Sequence, residues 1–440
     1  SGVTDADSAA PTIVQGTFAT TGGGLATVFA NGSFFYQPEA GDVNITDSFT
    51  FTVDDGDGNQ VMATATINVG SETFYVDDDG NAGGDGSPTN PFNTLAAAQA
   101  VADIGDVIYL AAGTYNENLV LEQNQSLIGQ GADFALAMDE LLDGDAGTRP
   151  VINGTLSGTN VGTATVSGVT VNSGTATALD LTFTAGTADI DVVDTIFNGA
   201  NADGILDVDV SSNANVRIDI TNSTFNPGTT ASKGIALNAG DSSQLDFNII
   251  ENTVTGNSAS GDAIEVEVSG TATAEGRINT NTITANDSIG VNIDLDNGSP
   301  VGIFEINSNI IDVNTDVAGI FLEIPQGTGD FTIGNNDIDI DTTVIFGGIT
   351  GDVGLGGGTA AASYNIFNND VNQVGGSGDA YGILQNNSGT STLDGFITDI
   401  LTTLNNNSNT VGGAALTVGQ AFEQGTHSAG TTEAVDITEA

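Results

Sequence analysis

Polar and apolar side chains alternate along most of this chain in short runs, of which Val216-Arg217-Ile218-Asp219-Ile220 and Ile264-Glu265-Val266-Glu267-Val268 are examples. A period of two puts Val, Ile, Leu and Phe on one face and Asp, Glu, Asn and Thr on the other, the mark of a half-buried strand. From about residue 150 the runs recur. The polar-x-apolar step that closes one strand falls at Asp194-Thr195-Ile196, Ser223-Thr224-Phe225, Asn252-Thr253-Val254, Asn281-Thr282-Ile283, Asn309-Ile310-Ile311, Asn336-Asp337-Ile338, Asn369-Asp370-Val371 and Asn409-Thr410-Val411. The spacings are 29, 29, 29, 28, 27, 33 and 40. A second marker keeps the same period: Gly204-Ile205, Gly234-Ile235, Ala263-Ile264, Gly290-Val291, Gly319-Ile320, Gly348-Ile349 and Gly382-Ile383. Two independent markers on one period predict a solenoid of about 29 residues per coil. Eight or nine coils are expected, stacked about 4.8 Å apart around an interior filled by side chains, with no cavity. The asparagines of the first marker (Asn252, Asn281, Asn309, Asn336, Asn369, Asn409) are expected to stack at one corner and satisfy turn backbone groups.

Before the solenoid, residues 1–70 carry strands at Gly32–Tyr36, Asp47–Val53 and Ala63–Val69, with the turn signal Asp55-Gly56-Asp57-Gly58-Asn59 between the last two. Such spacing predicts a small antiparallel sandwich. The run from Asn31-Gly32-Ser33-Phe34 through Tyr36-x-Pro38-x-Ala40-Gly41 to Asp47–Asn59 resembles the bacterial cadherin-like repeats of large surface proteins. That resemblance implies one or two strands ahead of the matched part, so the sandwich is expected to lack a strand. Residues 73–131 bring the strand Phe74-Tyr75-Val76, then Asn90-Pro91-Phe92-Asn93-Thr94-Leu95 into a short helix expected at Ala96–Ala102. Gly105-Asp106-Val107-Ile108, Gly113-Thr114-Tyr115 and Leu127-Ile128-Gly129-Gln130-Gly131 follow. This order resembles the N-terminal cap and first coil of pectin-lyase-like right-handed parallel β-helices. The expected fold is all-β, with a β-sandwich over 1–70, a β-helix cap and first coil over 71–150, coils over 151–425 and a tail over 426–440. Within the tail, Ala434, Val435, Asp436, Ile437 and Thr438 form an alternating segment with no partner in its own repeat.

Charge narrows the function. There are 57 acidic residues against four basic ones, for a net charge of −53. Such a chain repels nucleic acid and anionic membranes. Salt or bound cations are expected to relieve its self-repulsion, since charges closer than the screening length of about 8 Å still feel each other. Cysteine is absent, so stability rests on packing, ions or assembly. No apolar run approaches the roughly 20 residues of a membrane span, so membrane insertion is not expected. The polar opening Ser1-Gly2-Val3-Thr4-Asp5 shows no signal peptide, and a processed form or fragment of an extracellular or cell-surface protein is expected.

Two oxygen-rich loops are candidate Ca²⁺ sites. Asp77, Asp79, Asn81 and Asp85, with Asp78 nearby, crowd a glycine-rich loop, and Ca²⁺ takes about six to eight oxygens. Asp54, Asp55, Asp57 and Asn59 form a second cluster, where a plain hairpin turn is the simpler reading.

The pectin-lyase-like resemblance implies a fold that hosts polysaccharide lyases and hydrolases. Lyases of this kind use a basic residue as proton acceptor. Only Arg217, Lys233 and Arg277 lie in the coils, in what reads as surface-like settings. Polygalacturonase-type hydrolases carry Asn-x-Asp, Asp-Asp and Gly-His-Gly. Asn201-Ala202-Asp203 echoes the first element, but the one histidine, His427, sits between Thr426 and Ser428. The expectation is therefore a non-enzymatic structural protein, a subunit of a filament, sheath or matrix that self-associates head-to-tail. Residues 434–438 would supply a strand to an open sandwich edge. The alternative is a carbohydrate-binding or polysaccharide-degrading β-helix module of a surface adhesin that contacts cell-surface glycans. The lack of Trp, and of coil tyrosines other than Tyr364 and Tyr381, weighs against aromatic sugar platforms.

Overall fold

A computed structural model describes residues 12–37, 45–54, 60–70, 72–131, 148–199, 204–228, 233–257, 261–314, 318–340, 347–353 and 359–373. Beyond these it describes short strands at 134–135, 141–142, 381–385, 392–394, 410–411, 414–415, 421–427 and 431–435.

Each coil of the solenoid contributes one strand to each of three sheets. Asn215–Thr221, Thr224–Pro227 and Ile235–Ala239 form one coil, and Gln244–Ile250 opens the next. We name these sheets A, B and C in that order. Among the described residues each holds twelve strands. In sheet A three of them come from the 73–131 block, which joins the same stack: Thr73–Val76 pairs in parallel with Val107–Leu110, which pairs with Ser126–Gly129. Alternation places Val216, Ile218 and Ile220 inside, fully buried, and Arg217 and Asp219 outside. The interior is one continuous apolar cluster from Val76 to Val371.

The turn from sheet A to sheet B is the tightest in the coil. A non-glycine residue takes a left-handed φ there in successive coils: Asp194, Asn222, Glu251, Thr280, Ser308, Asn335 and Asn368, at +50° to +60°. Such a conformation costs about 1–3 kcal/mol. The buried residue that follows offsets it. The Oδ1 of Asn281 accepts from the backbone N–H (2.9 Å) and Nδ2 (3.1 Å) of Asn252, and its own Nδ2 donates to Ile249 O and to Asn309 Oδ1. The same pattern continues through Asn309, Asn336 and Asn369. The expected asparagine stack is therefore present through Asn369, while Asn409 lies outside the described residues.

The N-terminal unit is two three-stranded antiparallel sheets. One comprises Thr12–Ile13, Ile45–Asp54 and Gln60–Val69, the other Gly16–Ala19, Leu25–Val28 and Phe34–Gln37. Ala26, Val28 and Phe49 are its buried centre. The helix is shorter than expected, Leu95–Gln99, with Thr94 as N-cap accepting from Ala97 N–H. At the far end Thr431–Val435 pairs antiparallel with Ala421–His427, which itself continues sheet C. The expectation of an unpartnered tail is thus corrected. Ala434 lies opposite Gln424 and Val435 opposite Glu423, because a hairpin supplies a nearer partner than another molecule. Asp436, Ile437 and Thr438 lie outside the described residues.

Candidate functional site

The outward faces of the three sheets carry the chemistry, because inward positions are apolar. On sheet C, strand register aligns two outward rows. One runs Asp207, Ala236, Glu265, Asn292, Phe321, Thr350. The other runs Asp209, Asn238, Glu267, Asp294, Glu323, Asp352. Four carboxylates therefore occupy four successive rungs about 4.8 Å apart. A groove of about 650 Å³ opens at the upstream end, lined by Asp207, Asp209, Lys233, Asn238, Glu267 and Ser269.

Lys233 reaches this face from the turn ahead of Ile235. Its side chain is 22% exposed and ion-paired with Glu265. Burial opposes its charge, but Glu265, Asp262 and Asp207 outweigh that and raise its pKa. Lys233 is thus an ammonium at neutral pH and no proton acceptor. The surface-like setting expected for it is corrected: adjacent coils cover the side chain. Asp262, 8% exposed, accepts from Ile289 N–H (3.0 Å) and Asn292 Nδ2 (2.9 Å), and burial pushes its carboxyl up to about 6. Further along, burial and then Glu323, Asp296, Glu267 and Glu265 push Asp294 up to about 7. Burial and Glu323 push Asp352 to about 6, and burial with Asp296 raises Glu323. A carboxyl whose environment pushes it toward neutrality, with other carboxyls on the flanking rungs, is the arrangement that separates an acid from a base.

Sheet A presents a second groove of about 420 Å³ around Arg217, Asp246, Glu275, Arg277, Ile303 and Glu305. Both guanidiniums are about half exposed and already paired, Arg217 with Asp189 (2.8 Å) and Asp219, Arg277 with Glu305 (3.4 Å). Tyr364 is interior, stacked on Phe331, and offers no platform.

Of the expected cation loops, the first is partly assembled. One carboxylate oxygen each of Asp77, Asp78 and Asp79 lies within 4.8 Å of the others. Asp77 Oδ1 accepts from Asp79 N–H, and Asp78 Oδ2 from Thr114 N–H. Asp85 is turned to Ser87, whose backbone and side chain hold its pKa below the usual carboxylate range. Asn81 stays in the loop, its carbonyl accepting from Gly84 N–H. Three carboxylates fit a Ca²⁺ only if backbone or water oxygens complete the shell. In the second loop Asp54 accepts from Gln60 Nε2 (3.1 Å); Asp55, Asp57 and Asn59 lie outside the described residues.

The carboxylate row was not anticipated, although its signal was in the sequence. Glu267, Asp294, Glu323 and Asp352 each fall three residues after the apolar member of the second periodic marker.

Residues 78–319 match the family model described as "Protein of unknown function (DUF1565)". The chain belongs to this family. Residues 1–69 match the bacterial Ig domain model, which meets the surface-repeat resemblance of this segment. No curated protein matches the chain. Solved structures similar to it include a pectate lyase, Pel9A (14% identity, 70% of this chain and 80% of that one, TM-score 0.35). Others are a GH136 lacto-N-biosidase from Eubacterium ramulus (11%, 77% and 68%, 0.38) and a GH87 α-1,3-glucanase catalytic unit from Streptomyces thermodiastaticus (15%, 87% and 85%, 0.30). The expectation that the chain is no enzyme is corrected on this finding. Structures similar to this DUF1565 protein include a lyase and glycoside hydrolases, and lacking one family's residue set excludes that chemistry alone. No helix among the described residues is long and apolar enough to cross a membrane.

Proposed function

We propose that this protein is a carbohydrate-binding or polysaccharide-degrading β-helix module of an extracellular or cell-surface protein, with the glycan laid along the outer face of sheet C. The observation that carries this reading is Asp294, titrating near neutrality between Glu267 and Glu323 on the flanking rungs. Retaining glycosidases hold their two carboxyls about 5–5.5 Å apart, close to the rung spacing of about 4.8 Å. In cleavage, protonated Asp294 hands its proton to the glycosidic oxygen as that bond breaks, while Glu267 or Glu323, one rung away, stabilises or attacks the sugar carbon left behind. The bacterial Ig domain supports an extracellular setting. The head-to-tail filament has no such support.

A glycan array followed by a reducing-sugar assay between about pH 5 and 8 tests the reading. Asp294→Asn is expected to keep binding while lowering any cleavage by about 10²-fold or more. Absence of glycan binding across the array would sink it. Binding without cleavage in the parent protein would leave a binding module.

A further inference from the structure

Sheet C also says which glycan chemistry it suits. Resting on the reading above, we propose that the bound glycan carries free ammonium groups, as in a polymer of unacetylated amino sugars, and that these groups sit on Glu267, Glu323 and Asp352, on the rungs around Asp294. The chain itself supplies the precedent. On the upstream rungs the Lys233 ammonium meets Glu265, with Asp262 and Asp207 beside it, and Asn238 Nδ2 donates to Asp207 (3.1 Å) and Asp209 (3.0 Å). No described Lys or Arg forms an ion pair with the downstream row.

Unmet polar atoms gather on that downstream part. Asp294 Oδ1 and Asn292 Oδ1 are shielded from solvent with no hydrogen-bond partner among the described residues. The Asn292 amide cannot simply turn, because its Nδ2 is held by Asp262 Oδ2. Thr350, 9% exposed, points outward on the same face two residues from Asp352, and its Oγ1 is likewise without a partner among the described residues. Buried acceptors left unpaired are costly, so donors are what this face lacks. An ammonium brings three donors and no acceptor. A hydroxyl brings lone pairs as well, and a uronate or sulfate brings charge of the wrong sign. Burial first, and then the like charges of neighbouring rungs, raise the carboxyls of Asp294 and Asp352.

Calorimetry with glucosamine tetramer, N-acetylglucosamine tetramer and tetragalacturonate, near pH 6 and at two salt concentrations, tests the proposal. The free amine form is expected to bind at least about tenfold tighter than the acetylated form. That preference should shrink as salt rises. It should vanish in the Glu323→Gln/Asp352→Asn double variant, whose folding is checked by circular dichroism. Equal affinity for both tetramers, with both lost in the double variant, overturns the amine preference and leaves the glycan face standing. Tighter binding of tetragalacturonate, or Ca²⁺ alone filling the row and excluding the amine, also overturns it. Failure of every glycan to bind sinks the reading beneath it.

Discussion

Asn281 shows how a single side chain holds a corner. Its amide satisfies two donors from the coil before and gives donors to Ile249 O and to the next asparagine. Asn281→Asp keeps the shape and the acceptor but turns a donor into a second acceptor facing two oxygens. The substitution is expected to cost about 2–4 kcal/mol at neutral pH, since two buried groups lose partners and a charge is enclosed. Its folded-state pKa would lie above the unfolded value, so folding takes up a proton and part of the loss should return as pH falls. Urea unfolding at about pH 7 and pH 5 measures both effects; an equal loss at the two values would contradict the account.

Within an element, packing depends on which rung carries bulk. Phe247, Phe304, Phe331 and Tyr364 stack along the inside of sheet A, the three successive pairs at 6.1, 5.7 and 5.4 Å. The strand between Phe247 and Phe304 offers Gly276 at the inward position, and a Cβ there would meet the Phe247 ring at 2.0 Å. The glycine thus makes room for the ring. Gly276→Ala is expected to destabilise by about 1–3 kcal/mol. Combining it with Phe247→Leu should recover part of that, as a double-mutant cycle would show. Purely additive losses would mean that the ring is not what the glycine accommodates.

The two halves of the molecule answer pH in opposite senses. In the solenoid Asp262, Asp294 and Asp352 have carboxyls raised to about 6, 7 and 6. The folded state therefore holds more protons than the unfolded one between about pH 4 and 7, and stability falls as pH rises through that window. In the sandwich, burial would raise Asp47, but hydrogen bonds from Gly22 N–H, Thr21 Oγ1 and Tyr36 Oη outweigh it and hold its carboxyl well below the usual range. Its contribution is present above about pH 4 and is lost as pH falls below that value. Differential scanning calorimetry is expected to show the solenoid transition moving up from pH 8 to pH 5, while the sandwich transition weakens only under more acid conditions. A solenoid transition that falls over that range would refute the assignment.

Strand alternation, the period, the two-part organisation and the asparagine corner were legible in the residues, because each is a local rule repeated coil after coil. Period two decides which face is apolar, and a buried amide at a fixed offset decides where the coil turns. The partner of residues 431–435, the half-buried state of Lys233 and the row from Glu267 to Asp352 were not. Each depends on strand register between coils, which brings together residues some thirty positions apart. Burial then shifts their charge states according to what the neighbouring rung carries. In a chain so rich in acids, composition cannot tell a solvated carboxylate from one short of a partner. Only the stacking of the coils makes that distinction, since it sets which oxygens lose water and which find a donor.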